Sequence, residues 1–258
     1  MKEIKRIIIM TRKVAREEGL GKVFYSGIKM IINRTIGYLR YFVYFIQSRL
    51  FRKKYIHVIG DSHTASFNKN RSFFVHHISH ATAHNLIIKH STSNSNEKFW
   101  KIINKISKNR DMVILVFGEI DSRIHIYYQY KKQGMKEPIS SLIDKTIERY
   151  GVVLEELEKR GISFFVYGIP PANKEGNIYN IPFYASEKKR AEINRVFNDK
   201  LRDYCKDRRY KYIDIYPETC NEEGFIKKVY AEDEVHLNKN IIPFVMNCLK
   251  MNSEKGLI

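Results

Sequence analysis

Residues 112–121 read MVILVFGEID: six apolar residues run straight into a glycine and two carboxylates. A strand with one wet face alternates apolar and polar residues, whereas an unbroken run such as Met112–Phe117 belongs to a strand covered on both faces. The same pattern recurs on either side. Upstream, Tyr55–Gly60 (YIHVIG) leads into Asp61-Ser62-His63-Thr64; downstream, Ile162–Tyr167 (ISFFVY) leads into Gly168-Ile169-Pro170-Pro171. Phe73–Ile78 and Tyr210–Ile215 read as two further strands.

Helical patterns fill the intervals. Thr82–Lys89 is predicted as a helix, and Glu97–Lys108 places Phe99, Trp100, Ile103 and Ile106 at helical spacing. Ile139–Lys159 is a long helix closed by Gly161, the residue favoured just past a helix end. A charged helix spans Ser186–Asp207, and a terminal helix begins near Asn238. Strands alternating with helices predict an α/β fold over residues 55–258, a three-layer α/β/α sandwich around a central parallel sheet. There is no internal repeat.

Residues 1–54 have a different character. They carry 14 Lys/Arg against Glu3, Glu17 and Glu18, while the other 204 residues hold 32 basic and 25 acidic side chains of a chain with net charge +18. Leu20, Val23, Phe24, Ile28, Ile31, Ile32 and Ile36 recur at spacings of three and four, and an aromatic-rich stretch follows at 38–51. This basic, amphipathic helical extension suits an anionic membrane surface or a glycan-assembly enzyme as partner, and equally a helix packed on the main domain with its charges in water. No apolar run is long enough to span a bilayer or to serve as a secretory signal, so the expected location is cytoplasmic, or peripheral to the inner face of the membrane.

Composition excludes several function classes. Cys205, Cys220 and Cys248 are widely spaced and form no CxxC pair, which argues against a disulfide framework or a zinc ribbon. The sequence pI of about 9.7 raises nucleic acid as a partner, but no helix-turn-helix, RNP or finger pattern accompanies it. The spacing of four between His76, His80 and His84 would align them on a helix, yet His76 and His77 fall in a predicted strand and no HExxH is present. No metal and no cofactor are expected.

Parallel sheets gather ligand sites at the carboxyl ends of their strands. There the chain places Gly60-Asp61-Ser62-His63 and Gly118-Glu119-Ile120-Asp121, and Asp233-Glu234-Val235-His236 precedes the last helix. GDSHT, GEID and DxxH in this order, across residues 55–250, resemble the SGNH/GDSL hydrolase superfamily with its flavodoxin-like sheet. The resemblance implies Ser62 as nucleophile, His236 as general base and Asp233 as its orienting carboxylate. It further implies an ester hydrolase acting on an acylated carbohydrate, with an O-acyltransferase using the same serine, or a non-catalytic glycan-binding module, as alternatives. The chemistry agrees: a serine hydroxyl needs a base within hydrogen-bond reach, and a spacing of three residues lets a carboxylate and an imidazole meet.

The same resemblance implies three oxyanion donors: the Ser62 N–H, a glycine N–H that falls at Ser79 in VHHISHATAHNL (75–86), and an asparagine side chain that falls at Ile120. Isoleucine donates nothing, so Arg123 and His125 are the expected replacements, with Gly118 and His63 lining the pocket. Asp61 is expected to brace its turn, and Glu119 and Asp121 to anchor theirs through backbone and Arg123. Pro170-Pro171 and the loop through Asn180 are expected to rim the pocket.

Overall fold

The computed structural model describes residues 42–44, 46 and 54–254, except 69, 92, 109 and 175–180, with side chains through residue 251. The chain divides into two units, Met1–Lys53 and Lys54–Ile258. Of the first, residues 42–44 and 46 are described and are helical. The expected amphipathic helices of residues 1–54, and their membrane or partner contacts, otherwise lie outside the described residues. Among those described, no helix is long and apolar enough to cross a membrane.

The second unit is a five-stranded, wholly parallel sheet. Its strands are β1 (Ile56–Gly60), β2 (Phe73–His77), β3 (Met112–Val116), β4 (Phe164–Tyr167) and β5 (Lys211–Ile213), in the order β2-β1-β3-β4-β5. The helices are α1 (Ser95–Ile103), α2 (Ile126–Lys132), α3 (Ile139–Lys159), α4 (Glu187–Asp207), the single turn α5 (Tyr216–Thr219) and α6 (Ile242–Glu254).

Strand alternation divides the core in two. Ile59, Val113, Leu115 and Val166 face one side, where Phe99 and Ile103 of α1, Ile147 and Leu154 of α3, and Ile193 and Phe197 of α4 cover them. Val58, Ile114, Val116, Phe165 and Ile213 face the other, against Phe67 and against Ile242, Val245 and Leu249 of α6. This is the expected three-layer sandwich.

Helix ends follow local chemistry. Gly161 takes φ of 68° after α3, and the N–H groups of Gly161 and Ile162 return to the carbonyls of Glu158 and Leu157. Arg209 makes the same turn after α4 with φ of 59°. The sequence expectation fails at Thr82–Lys89, which is a run of turns and not a helix. Its backbone has other partners: both Asp121 carboxylate oxygens accept N–H groups from Ala83 and His84, at 2.7 and 3.2 Å, and Arg149 Nε donates to the His84 carbonyl at 3.0 Å. The segment after GEID is helical where no element was expected, a π-turn at Asp121–His125 running into α2.

Chain reversal of strand order places a crevice between β1 and β3, because β1 leads to β2 on one side while β3 leads to β4 on the other. The two strands meet tightly there. Gly60 pairs with Val116, and a Cβ on Gly60 would sit 2.0 Å from the Val116 carbonyl oxygen. Backbone cannot yield as a side-chain tip does. Gly60→Ala is therefore expected to cost about 3 kcal/mol or more, at the upper end for overpacking, measured by denaturant unfolding. A wild-type midpoint would show that the strand pair parts more easily than this spacing implies.

Candidate active site

The chain leaves β1 through a turn built on Asp61. This carboxylate is fully buried, and its Oδ1 accepts the His63 N–H at 2.9 Å, capping a 3-10 helix at Ser62–Phe67. Its carbonyl oxygen takes the Thr64 N–H at 3.2 Å and the Thr64 hydroxyl at 2.8 Å, and lies 3.0 Å from His77 Nδ1 of β2. Asp61 thus braces the turn, as its position after β1 implied. Ser62 is left as the first helical residue, and its N–H donates to no protein acceptor among the described residues.

A second segment brings the base. Asp233 Oδ1 accepts the N–H groups of Val235 and His236 at 2.8 and 2.7 Å, folding the loop tightly around its own carboxylate. The same carboxylate reaches His236 Nδ1, with Oδ2 at 2.8 Å and Oδ1 at 3.0 Å. His236 Nε2 then lies 2.8 Å from Ser62 Oγ, across 174 positions of sequence. Partial burial pushes the Asp233 carboxyl up, but the two backbone N–H groups and the imidazole outweigh it and hold it below the ordinary aspartate range. The carboxylate therefore stays charged toward the ring, which fixes Nδ1 as the protonated nitrogen and turns Nε2 to the hydroxyl as acceptor.

Ser62 and His236 open on a groove of about 810 Å³, walled by Thr64, Asn68 and His77 on one side and by Glu232, Asn238 and Asn240 on the other. The residues expected beside the serine lie elsewhere. Ser79 is exposed, with its hydroxyl 2.7 Å from His80 Nδ1. His80, and not Ser79, holds the left-handed backbone (φ of 58°) that a glycine would favour in this loop. Gly118 does adopt a glycine conformation, φ of 113°, with the Phe197 ring packed where a Cβ would stand. It shapes the turn and does not wall the groove.

Arg123 commits Nε and Nη2 to Glu119, at 2.6 and 3.2 Å, and His125 faces a separate cavity with Thr82, His84 and Gln129. Neither is among the groove walls. His63 is also turned inward: it is 5% exposed, and its Nε2 sits 3.0 Å from Glu119 Oε2. Pro170 and Pro171 are buried, and positions 175–180 of the expected rim lie outside the described residues. Among the described residues no group of His, Cys, Asp or Glu is arranged to hold a metal ion, and the three spaced histidines are dispersed: His76 is buried against His57 at 2.9 Å while His80 is exposed.

Two buried asparagines on α4 escaped the sequence reading. Asn194 accepts the Ser122 hydroxyl at 2.7 Å and donates to the Pro170 carbonyl; Asn198 bonds both N–H and C=O of Ile169. They tie the GEID turn to the end of β4. Their only sequence signal is amide side chains on the inward face of an otherwise charged helix.

Sheet order, the serine after β1 and the carboxylate–imidazole loop before the last helix together decide the architecture. The chain has the GDSL-hydrolase fold. A GDSL-like lipase from Bacteroides thetaiotaomicron superposes with a TM-score of 0.54 at 16% identity, over 80% of this chain and 89% of its own. A protein assigned as an acylhydrolase, from Bacteroides fragilis, gives a TM-score of 0.54 at 15% identity, over 80% and 88%. No family model matches the sequence, and no curated protein matches it. The GDSL fold is thus preserved here at an identity where few side chains are shared.

The site's buried carboxylates oppose one another. Burial lifts Asp61 to about 6 and Asp121 to about 7 from an ordinary 3.8. Burial also lifts Glu119, but Arg123 and His63 outweigh it and bring the group to about 2. The raised aspartates favour folding fully only below their unfolded pKa, and that contribution is lost as pH climbs through 6 and 7; the Glu119 contribution is lost instead as pH falls below its unfolded value toward 2. Asp121→Asn removes one raised group. Its melting temperature is expected to fall less steeply than wild type between pH 5 and 7, in matched thermal melts. Parallel slopes would contradict the raised Asp121.

Proposed function

We propose that this chain is a serine hydrolase that cleaves an O-acyl ester, with an acylated carbohydrate as substrate. One observation carries the reading: the unbroken Ser62–His236–Asp233 relay, with contacts of 2.8 Å on both sides of the imidazole. His236 Nε2 takes the proton as Ser62 Oγ attacks the ester carbonyl, then returns it to the departing alcohol. Asp233 holds the ring in the tautomer that makes this possible and stabilises the imidazolium. The acyl group remains on Ser62 until water, activated by the same imidazole, releases it as a carboxylic acid.

Charge on the carbonyl oxygen needs fixed donors. The Ser62 N–H, free of any protein acceptor among the described residues, is the donor that the turn supplies. The carbohydrate part of the reading is supported by the groove, whose walls mix amide, hydroxyl, carboxylate and imidazole groups suited to a polyhydroxylated ligand. The solved relatives are, by name, a lipase and an acylhydrolase, which supports acyl transfer as the reaction class.

An O-acyltransferase is the second reading, and the half-exposed Asp233 and open groove favour keeping it: the acyl-enzyme is reachable by a sugar hydroxyl as readily as by water. A fluorophosphonate probe is expected to label wild type at Ser62 and to leave Ser62→Ala unlabelled. Asp233→Asn is expected to slow labelling by about a hundredfold or more, since the ring loses its preferred tautomer. Labelling of wild type and Ser62→Ala alike would end the assignment. Acetyl release from an acetylated sugar, compared with and without an unacetylated acceptor, separates hydrolysis from transfer.

A further inference from the structure

Ser62 and His63 are neighbours in one short helix but face opposite ways, the hydroxyl toward the groove and the imidazole into the protein. The inward residue is held both at its ring and at its backbone. Its Nε2 lies 3.0 Å from Glu119 Oε2, and Glu119 is itself gripped through both oxygens by Arg123, across the π-turn that follows β3. π-turns are rare and concentrate at functional sites. Asp61 holds the His63 backbone at 2.9 Å. The same ring meets His236: the centroids of His63 and His236 are 4.8 Å apart, with planes tilted by 42°.

We propose that His63, oriented by Glu119, is a positioning residue that sets the plane of the His236 imidazole against Ser62. The inference rests on the hydrolase reading and adds to it. Asp233 grips His236 at its Nδ1 edge, yet that carboxylate is 53% exposed and sits on a loop. One edge contact leaves an imidazole free to swing about it. A second ring, anchored on β1 and β3, restricts that swing. A merely structural cluster would be a weak use of four ionisable groups, because buried ion pairs stabilise little more than apolar replacements.

The arrangement also has an electrostatic consequence. Glu119, Asp61 and Arg123 face His63; Arg190 of α4 lies near Glu119 and Arg123; His77 faces Asp61; Asp233, Ser62 and His63 face His236. Burial pushes the His63 pKa down, but Glu119 and Asp61 together push it further up.

The test uses the full chain, the fluorophosphonate probe and the variants His63→Ala, His63→Phe and Glu119→Gln, with labelling rates from pH 5 to 9 and thermal melts alongside. His63→Ala is expected to slow labelling about ten- to a hundredfold, the scale for a catalytic group displaced by about an ångström. His63→Phe, which keeps a flat ring, recovers part of that loss. Glu119→Gln, which removes the carboxylate that orients the His63 ring, is expected to change the pH profile of labelling, a change that loss of stability alone does not produce. Folded Glu119→Gln and His63→Ala proteins that label at the wild-type rate with an unchanged profile would overturn the proposal. Should His63→Ala not fold, the near-isosteric Glu119→Gln profile decides. A wild type that folds but takes no label at Ser62 removes the hydrolase reading itself, and the positioning role falls with it.

Discussion

The site depends on one buried carboxylate that performs no chemistry. Asp61 ends β1, and its side chain and carbonyl together satisfy His63, Thr64 and His77. A strand that simply continued would bury Ser62 between the sheet and its helices. Capping forces the chain into a 3-10 turn, which lifts the serine hydroxyl out of the sheet and leaves its N–H unspent. Gly60 matters for the same reason, since only a residue without a Cβ lets β1 close on Val116 and start the turn where it does. The nucleophile is thus placed by backbone hydrogen bonds and close packing, both short-ranged and stiff.

The base is placed differently. Its loop is short and exposed, with Val235 and Leu237 as the buried anchors between Asp233 and α6. Asn238 ties the loop back by donating to the Val229 and Ala231 carbonyls, and Ala231 bridges Leu237. The serine thus sits on a stiff turn and the imidazole on a tethered loop. Charge is distributed in the same sense. The solvent-facing relay holds one carboxylate and one imidazole, while the interior cluster alternates Arg123, Glu119, His63 and Asp61 so that each charge has an opposite neighbour.

The architecture was legible in sequence because it rests on apolar runs. MVILVF, HVI and FFV are strands because nothing polar interrupts them, and Gly161 stops α3 through its own φ. The relay was legible because DxxH is a local geometry, and because Ser62 had one strand end to occupy. What failed required knowing which backbone groups were already bonded. Thr82–Lys89 has helical periodicity, but Asp121 captures two of its N–H groups from 37 and 38 positions away. Ser79 looked like the glycine substitute by alignment of motifs; the left-handed residue is its neighbour His80, a difference that only dihedral angles show. Side-chain direction was equally hidden. His63 beside the nucleophile reads as a pocket residue, yet a 3-10 turn separates consecutive side chains widely enough to send one out and the next in.

The turn at GEID pairs an apolar residue with a buried charge. Where the resemblance to SGNH/GDSL hydrolases implies an amide, this chain has Ile120, whose side chain has no polar atom to offer an oxyanion. One position earlier it has Glu119, a carboxylate that would be untenable in the interior alone. Arg123 neutralises it from one helical turn onward and His63 from the 3-10 turn after β1, so the acid is tolerable because both partners are present. This charged network reaches His63, whose ring in turn packs against His236. Ile120 and Glu119 thus lie at adjacent positions of one turn, the first with no polar side-chain atom and the second with its charge held by interior partners.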